Sequence, residues 1–338
     1  MKLAAIIVNY RTADLTAQAT SALLRQLEEV GDFHLYVVDN DSGDGSVDRL
    51  NAFSRSDGWG DRVSVVAAPR NGGYGYGINV AVDLARNSGH PPEYFFILNS
   101  DAFADPGAVG TMMDFMEQNP EAGLCGPSVN GTDGVHQGGA FQFPTAASEL
   151  NEAAKTAVVA WLMSNPTVAL PLPSRTTEVE WVSGTCMLVR RAVFDQIGHF
   201  DEGFFLYYEE VDFCHRARRA GWRSYCVPAA TVTHLGSVST GFGDKSRPMP
   251  RYWFESRHRY LLKHHGRKYT AWCDVCWTTG FIIGETKRAL LRRPVANPQR
   301  MLRDFVGNSL RHLMIPRAPG PDEAIHVPGG GAPGGARP

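Results

Sequence analysis

The stretch FFILNSDAF, residues 95–103, decides the predicted fold, because four large apolar residues end abruptly in Asn99, Ser100 and Asp101. A short apolar run bounded by polar residues is typical of a strand that is buried on both faces. In an open α/β fold, such a strand delivers the residues after it to the edge of the sheet where ligands bind. We therefore expect Asp101 to lie at the mouth of a ligand crevice.

Around this stretch, the first hundred residues alternate between strand and helix patterns. Strands are predicted over residues 3–8, 33–38, 62–68 and 94–98, and helices over 12–30, 44–55 and 75–87. This alternation predicts an α/β fold with a mainly parallel sheet, helices on both faces and ligands at the carboxyl ends of the strands.

Polar residues follow each of the four predicted strands. They are Asn9, Tyr10 and Arg11, then Asp39 and Asn40, then Asn71, Gly72 and Gly73, and finally Asn99 to Asp101. Turn residues follow strands in many proteins for structural reasons alone. Four such sets at the same edge of one sheet favour a binding site.

The glycines of NGGYGYGIN, residues 71–79, raise the alternative of a dinucleotide-binding dehydrogenase. No frame gives the G-x-G-x-x-G pattern, and the segment follows the third predicted strand, whereas the dinucleotide fingerprint follows the first. That alternative is therefore weak. The glycines instead predict close approach of the backbone to a ligand, with phosphate favoured, at a helix N-terminus. The alternative interpretation, an ordinary loop that caps the helix without binding a ligand, also remains.

The composition indicates one large globular domain with an appendage. The chain has 338 residues, of which 43% are hydrophobic and 20% charged. Its six cysteines are scattered, and Cys273 and Cys276 form one CxxC without a second pair, so we expect reduced thiols and no zinc site.

The N-terminus lacks a secretory pattern, and the apolar stretch from Trp272 is interrupted by Asp274. A cytoplasmic protein that does not cross a membrane is expected.

Charge is distributed unevenly along the chain. The formal net charge is −2, but residues 245–311 contain 15 Lys and Arg against four acids, which leaves about −13 on residues 1–244. This split predicts an acidic part that uses a cation and a basic part that faces something anionic. Phospholipid, a phosphorylated acceptor and nucleic acid are the candidates.

Residues 244–315 are predicted to form a helical basic extension. In RYWFESRHRYLLKHH, residues 251–265, Tyr252, Trp253, Tyr260 and Leu261 are interleaved with Arg251, Arg257, Arg259 and Lys263. This pattern favours docking at a membrane surface or a polyprenyl phosphate, with a basic face packed on the domain as the alternative. Nucleic acid is disfavoured because no binding module is recognised. The Pro/Gly-rich residues 316–338 predict a disordered tail.

Six segments together resemble the family 2 inverting glycosyltransferases, and among them the bacterial rhamnosyltransferase branch. They are IIVNYR, VVDNDSGDGS, APRNGGYGYGINVAV, FFILNSDA, residues 181–222 and VTHLGSVS, in that order, and the resemblance covers roughly residues 3–265. It implies a GT-A fold over residues 1–243, a nucleotide-sugar donor and a divalent metal, Mn²⁺ or Mg²⁺.

The resemblance also implies roles for residues at the strand ends. Asp101 belongs to an NSD sequence in place of the DxD motif and would contact metal and diphosphate, Asn99 would face the ribose, and Asp39 the nucleotide base. His234 would complete the metal site, although a His here can also be structural. A hard cation suits a diphosphate leaving group, which gains negative charge. The predicted donor-binding residues are Asn9, Tyr10, Arg11, Asp39, Asn71, Gly72, Gly73, Asn79, Asn99 and Asp101.

Three acids, Glu209, Glu210 and Asp212, begin a predicted amphipathic helix, where N-terminal capping is the simple explanation. The aromatic residues just before them can raise the proton affinity of a carboxylate and form a wall for a sugar. By resemblance, Glu210 is the base that deprotonates the acceptor, and Asp212 is the alternative. Trp181, Ser183, Gly184 and Glu209 are the candidates for the sugar pocket, with ordinary core packing still open.

The sequence thus predicts a metal-dependent inverting glycosyltransferase. By resemblance, the donor is dTDP-L-rhamnose, with another dTDP- or UDP-sugar as the alternative. The acceptor is a hydroxyl of a glycan, a lipid-linked glycan or a glycosylated small molecule. A catalytically silent carbohydrate-binding relative and a homodimer stay open. A nucleotidyltransferase is disfavoured because VNYRTADL lacks the glycines of its phosphate loop.

Overall fold

The computed structural model describes residues 1–164, 166–236, 247–294 and 297–314. The strands are β1 Leu3–Asn9, β2 Phe33–Asp39, β3 Val63–Ala67, β4 Tyr94–Asn99, β5 Ala102–Ala104, β6 Ala122–Asn130, β7 His136–Gly138, β8 Thr177–Val179, β9 Cys186–Arg190 and β10 Arg223–His234. The helices are α1 Ala13–Val30, α2 Ser46–Ser56, α3 Tyr74–Arg86, α4 Ala108–Gln118, α5 Ala146–Ala154, α6 Ala157–Leu162, α7 Arg191–Ile197, α8 Glu209–Arg219, α9 Arg251–Leu290 and α10 Met301–Met314. A short 3-10 helix, Gly60–Arg62, precedes β3.

The strands form one mixed sheet in the order β3-β2-β1-β4-β9-β6-β10-β5, with β7 beside β6 and β8 beside β10. The predicted strands β1 to β4 are present and parallel to one another. Val8 is in register with both Val38 and Asn99, so the carboxyl ends of β1, β2 and β4 meet at one edge. The expected α/β fold is confirmed, and the antiparallel strands β9 and β5 complete the sheet.

Two apolar layers enclose the sheet. Every residue of β1 is buried, and its side chains alternate between the layers. Ile6 and Val8 pack with α3, while Leu3 and Ile7 pack with α1. Side chains of a strand point alternately to opposite faces, so a continuous apolar strand requires a cover on both sides.

The first half of α9 packs against the α/β domain. Its Arg257 is 2% exposed. The guanidinium lies 2.9–3.1 Å from the Glu149 carboxylate on α5, and its Nη1 donates to Asp274 Oδ1 at 2.7 Å. Tyr260 and Leu261 are fully buried. The expected membrane-facing role is therefore wrong for Arg257, Tyr260 and Leu261, because they are buried against acids and apolar side chains of the domain. This agrees with the alternative prediction of a basic face packed on the domain.

Helix α9 is interrupted at Gly266, where φ is 77° and ψ is 172°. It and α10 occupy the described part of the predicted extension, whereas the predicted boundary at residue 243 and the tail over 316–338 lie outside the described residues. All six cysteines are buried and form no disulfide. Within the described ranges, no helix is both long and apolar enough to cross a membrane.

Candidate functional site

At the ends of β1 and β2, Asp39 is held in a fixed orientation. Its Oδ1 accepts from Asn9 Nδ2 at 2.6 Å and from Ser42 Oγ at 2.6 Å, and its Oδ2 accepts from the Ser42 N–H at 3.0 Å. Asn9 is fully buried, and its Oδ1 accepts from Thr16 Oγ1 at 2.7 Å. The predicted donor contact of Asn9 is not supported by this burial. Asn9 instead positions Asp39.

Tyr10 and Arg11 lie at the rim of the same strand end. Arg11 has a left-handed backbone with φ of 58°, and its guanidinium lies 5.0 Å from the centre of the Tyr10 ring. Its backbone N–H donates to Ser42 Oγ at 2.9 Å, and its Nε donates to the Ser42 carbonyl at 3.1 Å. Tyr10 is half-buried and Arg11 is exposed. Both can therefore be reached by a ligand.

The loop after β3 closes onto the loop before α8. Gly73 has φ of 92°, and a Cβ atom at this position would overlap the carbonyl oxygen of Phe205. The Tyr74 N–H donates to the same oxygen at 3.1 Å. Gly73 is thus required by an approach of backbone to backbone, whereas its predicted approach to a ligand stays a prediction. At Gly72, a Cβ atom would overlap the ring of Tyr76.

Asn40 anchors this loop and was not among the predicted site residues. Its Nδ2 donates to Asn71 Oδ1 at 3.0 Å and to the Gly73 carbonyl at 2.9 Å. Its own Oδ1 is buried without a hydrogen-bond partner in the part of the chain that the structure describes. The only sequence signal was its place directly after Asp39.

Asn79 has a packing role in α3. Its Nδ2 donates to the Phe200 carbonyl at 2.9 Å and to Glu202 Oε1 at 3.3 Å, and its Oδ1 accepts from the Phe200 N–H at 3.0 Å. The side chain is buried. Because its polar atoms are already used, the structure contradicts the predicted contact of Asn79 with a donor.

Asp101 and His234 lie side by side at the end of the sheet. The antiparallel pairing of β5 and β10 sets His234 opposite Ala102, and its Nε2 lies 3.2 Å from Asp101 Oδ1. The two side chains are 9% and 18% exposed. Asn99 is the last residue of β4, two residues before Asp101, and it is half-buried with its N–H bonded to the Thr185 carbonyl.

A divalent cation fits this pair. A carboxylate oxygen and an imidazole nitrogen are both ligands of Mn²⁺, and they are adjacent and reachable from solvent. The described residues contain no group of three or more His, Cys, Asp or Glu suited to a metal. A site with two protein ligands takes the rest from substrate phosphate and water, which is common for Mg²⁺.

Two carboxylates, those of Glu209 and Glu210, lie side by side at the start of α8. Tyr207 and Tyr208 precede them with left-handed backbones, φ 67° and 68°. Glu209 is buried, and burial together with the charge of Glu210 raises its pKa well above the ordinary value. Burial also raises the pKa of Glu210, against the effect of backbone hydrogen bonds, including one from Gly184. One oxygen of each carboxylate is buried without a partner among the described residues.

Gly184 and Tyr74 border these carboxylates. A Cβ atom on Gly184 would lie 3.6 Å from Glu210 Cβ and 3.6 Å from the Tyr74 ring, so a side chain here would narrow the space beside Glu210. The Tyr74 hydroxyl donates to the Gly184 carbonyl at 3.0 Å. Burial, and then the charges of Glu209 and other acids nearby, raise the pKa of Tyr74. The sequence prediction missed Tyr74, whose signal was an aromatic residue inside the glycine-rich stretch.

Two other candidates for the sugar pocket, Trp181 and Ser183, make packing contacts or hydrogen bonds within the domain. Trp181 stacks on Phe141 with ring centres 4.1 Å apart, and its Nε1 donates to the Gln142 carbonyl at 2.8 Å. It is 9% exposed, which fits the core-packing alternative. Ser183 Oγ donates to Thr185 Oγ1 at 3.0 Å and stays half-buried beside Gly184.

Asp212 lies in a buried ion cluster. It is fully buried, and its carboxylate contacts His264 Nε2 at 2.7 Å, Arg216 Nε at 2.8 Å and Lys263 Nζ at 3.0 Å. Burial alone would raise its pKa, but the hydrogen bond with His264 and the two cations hold that pKa well below the usual range. The structure therefore contradicts Asp212 as the alternative base.

The fold and this site together define a GT-A glycosyltransferase. The mannosyltransferase PcManGT from Pyrobaculum calidifontis, solved in complex with GDP-Man and Mn²⁺, shares the fold, with a TM-score of 0.55 over 93% of this chain and 87% of that chain at 12% identity. The family model described as "Glycosyl transferase family 2" matches residues 4–198. The chain belongs to glycosyl transferase family 2.

Curated relatives narrow the comparison. The N-acetylglucosaminyl-diphospho-decaprenol L-rhamnosyltransferase of Mycobacterium tuberculosis is 33% identical over 249 residues, which cover 70% of this chain and 78% of the relative. Rhamnosyltransferase WbbL of Escherichia coli K12 is 27% identical over 198 residues, 56% of this chain and 70% of WbbL. The resemblance to the rhamnosyltransferase-like branch is confirmed. The family match ends at residue 198, so it does not include Glu210 and His234, and their roles stay predictions.

Proposed function

We propose that this glycosyltransferase transfers L-rhamnose from dTDP-L-rhamnose, with inversion, to a hydroxyl of a lipid-linked glycan. The donor and acceptor classes are supported by similarity to the M. tuberculosis enzyme named for decaprenol-linked N-acetylglucosamine. The observation that carries the mechanism is Glu210, whose carboxyl carbon lies beside Gly184 and one of whose oxygens is buried with no partner among the residues that the structure describes. A carboxylate with an available oxygen and a raised pKa is suited to act as a general base.

Donor binding would use the strand ends. Asp39, which Asn9 and Ser42 hold in place, would accept a hydrogen bond from the N–H of a pyrimidine base. Thymine and uracil both carry this group, so Asp39 serves dTDP- and UDP-sugars alike. Asp101 and His234 would hold Mn²⁺ or Mg²⁺, which offsets the charge of the diphosphate when bound.

Glu210 would accept the proton of the acceptor hydroxyl during the reaction. The hydroxyl oxygen forms a bond to the anomeric carbon as the bond from that carbon to the diphosphate oxygen breaks. Attack from the face opposite the leaving group inverts the anomeric configuration. The aromatic residues before α8, among them the exposed Phe205, provide an apolar surface for the sugar.

The six buried, unpaired cysteines support a reducing compartment, and we place the reaction in the cytoplasm. The lipid-linked acceptor would then be presented at the cytoplasmic face of the membrane.

The test is a panel of dTDP-L-rhamnose, UDP-glucose, UDP-galactose, UDP-GlcNAc and GDP-mannose, each with Mn²⁺ or EDTA and with or without N-acetylglucosaminyl-diphospho-polyprenol. We expect release of dTDP from dTDP-L-rhamnose only, in Mn²⁺ and dependent on the acceptor. Release of UDP from a UDP-sugar, or of GDP from GDP-mannose, would replace rhamnose with that sugar in the proposal. Binding of dTDP without turnover of any donor would favour the alternative of a catalytically silent carbohydrate-binding protein.

A further inference from the structure

The second half of α9 and helix α6 expose a group of large apolar side chains that the transfer reaction does not use. They are Val158, Trp161 and Leu162 on α6, and Trp272, Val275, Ile282, Ile283, Leu290 and Leu291 on or directly after α9. Their exposed fractions range from 38% to 80%. Soluble monomers rarely expose a continuous apolar surface of this kind without a partner.

The spacing places the α9 members on one stripe. Trp272, Val275, Ile282 and Leu290 recur at intervals that return to the same helical face, over a length of about 27 Å. The opposite face of α9 is closed, because a Cβ atom at Gly280 or Gly284 would overlap the backbone of α5. Helix α9 is therefore fixed by α5 with its apolar stripe turned outward.

Helix α6 extends the same surface. Lys287 Nζ donates to the carbonyl of Lys155, two residues before α6, at 3.1 Å, so α6 begins near the last turns of α9. Val158, Trp161 and Leu162 are spaced three and four residues apart, so they share one face of this short helix.

Cations border this apolar surface. Lys155, Lys268, Arg292 and Arg293 are exposed around it. Of the acids in the second half of α9, Asp274 is bound to Arg257 in the interior, and Glu285 pairs with Arg288. Apolar and Trp side chains bordered by cations match the boundary between the headgroups and acyl chains of an anionic bilayer.

We propose that α6 and the second half of α9 form a docking surface for a membrane that contains anionic phospholipid. A second copy of the chain fits less well, because a twofold interface would bring the same cations together. The docking proposal is inferred from the exposed apolar side chains and the cations around them, and it does not depend on the proposed function. The benefit, which is to hold the crevice near a lipid-linked acceptor, rests on the proposed function.

The experiment is co-sedimentation of the full-length chain with vesicles of phosphatidylcholine and phosphatidylglycerol, or of phosphatidylcholine alone. We expect binding to the anionic vesicles that weakens with salt. The double variant Trp272→Ser/Ile282→Ser should bind at least about tenfold more weakly, because each side chain buries apolar area in the bilayer. Arg292→Ser/Arg293→Ser should weaken binding to anionic vesicles only. Val135→Ser, which alters an equally exposed apolar residue outside the surface, is the control.

Wild-type chain that binds neither vesicle, or a double variant that binds like Val135→Ser, would overturn the proposal. Light scattering that shows a dimer lost in Trp272→Ser/Ile282→Ser, without vesicle binding, would assign the surface to a second copy and also overturn it. Donor turnover with a water-soluble acceptor should be the same in all these variants. Vesicle binding without any donor turnover would contradict the proposed function and leave the docking surface standing.

Discussion

The imidazole Nε2 of His234 lies 3.2 Å from Oδ1 of Asp101, although the two residues are far apart in the sequence. The pairing of β5 with β10 creates this contact at the end of the sheet. Neither residue alone would hold a divalent cation firmly, but in the proposed metal site the two together would provide two ligands on rigid elements.

Substitution of either member of this pair should weaken metal-dependent donor binding. We expect Asp101→Asn and His234→Asn each to reduce the affinity for dTDP in Mn²⁺ about 10- to 100-fold, and to change it little in EDTA. Titration calorimetry in both conditions measures the difference. Asp133→Asn, in an exposed turn, is the matched control. Equal losses in Mn²⁺ and EDTA would show that the pair does not act through a metal.

The base should be identified by removing one carboxylate at a time. Glu210→Gln should lower kcat about 10²- to 10⁴-fold and leave the affinity for dTDP unchanged, because the base acts only after the donor is bound. Stopped assays of product formation and calorimetry of dTDP provide the two values. A fully active Glu210→Gln enzyme would contradict the assignment, and Glu209→Gln controls for loss of charge at the same helix end.

The pH profile should show the raised pKa of Glu210. Its ordinary value is 4.5, and burial raises it. The base must be deprotonated to act, so kcat should fall as the pH falls through a value above 4.5 and should not depend on this group at higher pH. Measuring kcat from acid to neutral pH tests this fall, which is the acid limb of the pH profile. An acid limb unchanged in the residual activity of Glu210→Gln would assign it to another group.

Gly73→Ala should disturb the contact between the two loops of the site. The residue has φ of 92°, and the added methyl group would overlap the Phe205 carbonyl. Gly134→Ala is the matched control, since φ there is 74° and nothing lies within 4 Å of the new atom. The control should lose only about 1 kcal/mol of unfolding free energy. Gly73→Ala should lose more and also lose activity, as measured by denaturant unfolding and turnover.

Arg257→Met should destabilise the whole chain. It leaves the carboxylates of Glu149 and Asp274 without their buried partner, at a cost of about 3–5 kcal/mol in unfolding free energy. Arg251→Met on the same helix removes an exposed pair with Glu255 and should cost less than about 1 kcal/mol. Urea denaturation followed by circular dichroism compares them. Equal stability of the two variants would show that the buried cluster contributes little.

The first half of the sheet was predictable because its signals are local. The apolar runs over residues 3–8, 33–38, 62–68 and 94–98 correspond to β1 to β4 within one or two residues at each end. The acids before Val211 begin α8 as expected. Strand-end residues such as Asp39 and Asp101 followed from the topology, since parallel strands bring their carboxyl ends together.

The packing of α9 and the buried partners of Asp212 could not be predicted in the same way. Arg257, Arg259 and Lys263 form a basic pattern in the sequence, but their partners Glu149, Asp201 and Asp212 lie in distant segments. A helical pattern shows which side chains share a face and does not show which acids will meet them. The same limit explains why Tyr74 was missed, why Asn40 was noted at a strand end without a role, and why Asn79 was assigned to a ligand.

The left-handed backbones of Tyr207 and Tyr208 set a limit on how far this enzyme can be made more heat-resistant. Each such non-glycine residue costs about 1–2 kcal/mol, so glycine at either position relieves strain. The same change removes an aromatic ring beside the proposed sugar site and loosens the segment that positions Glu209 and Glu210. Selection for thermal tolerance alone should therefore favour substitutions here that slow catalysis.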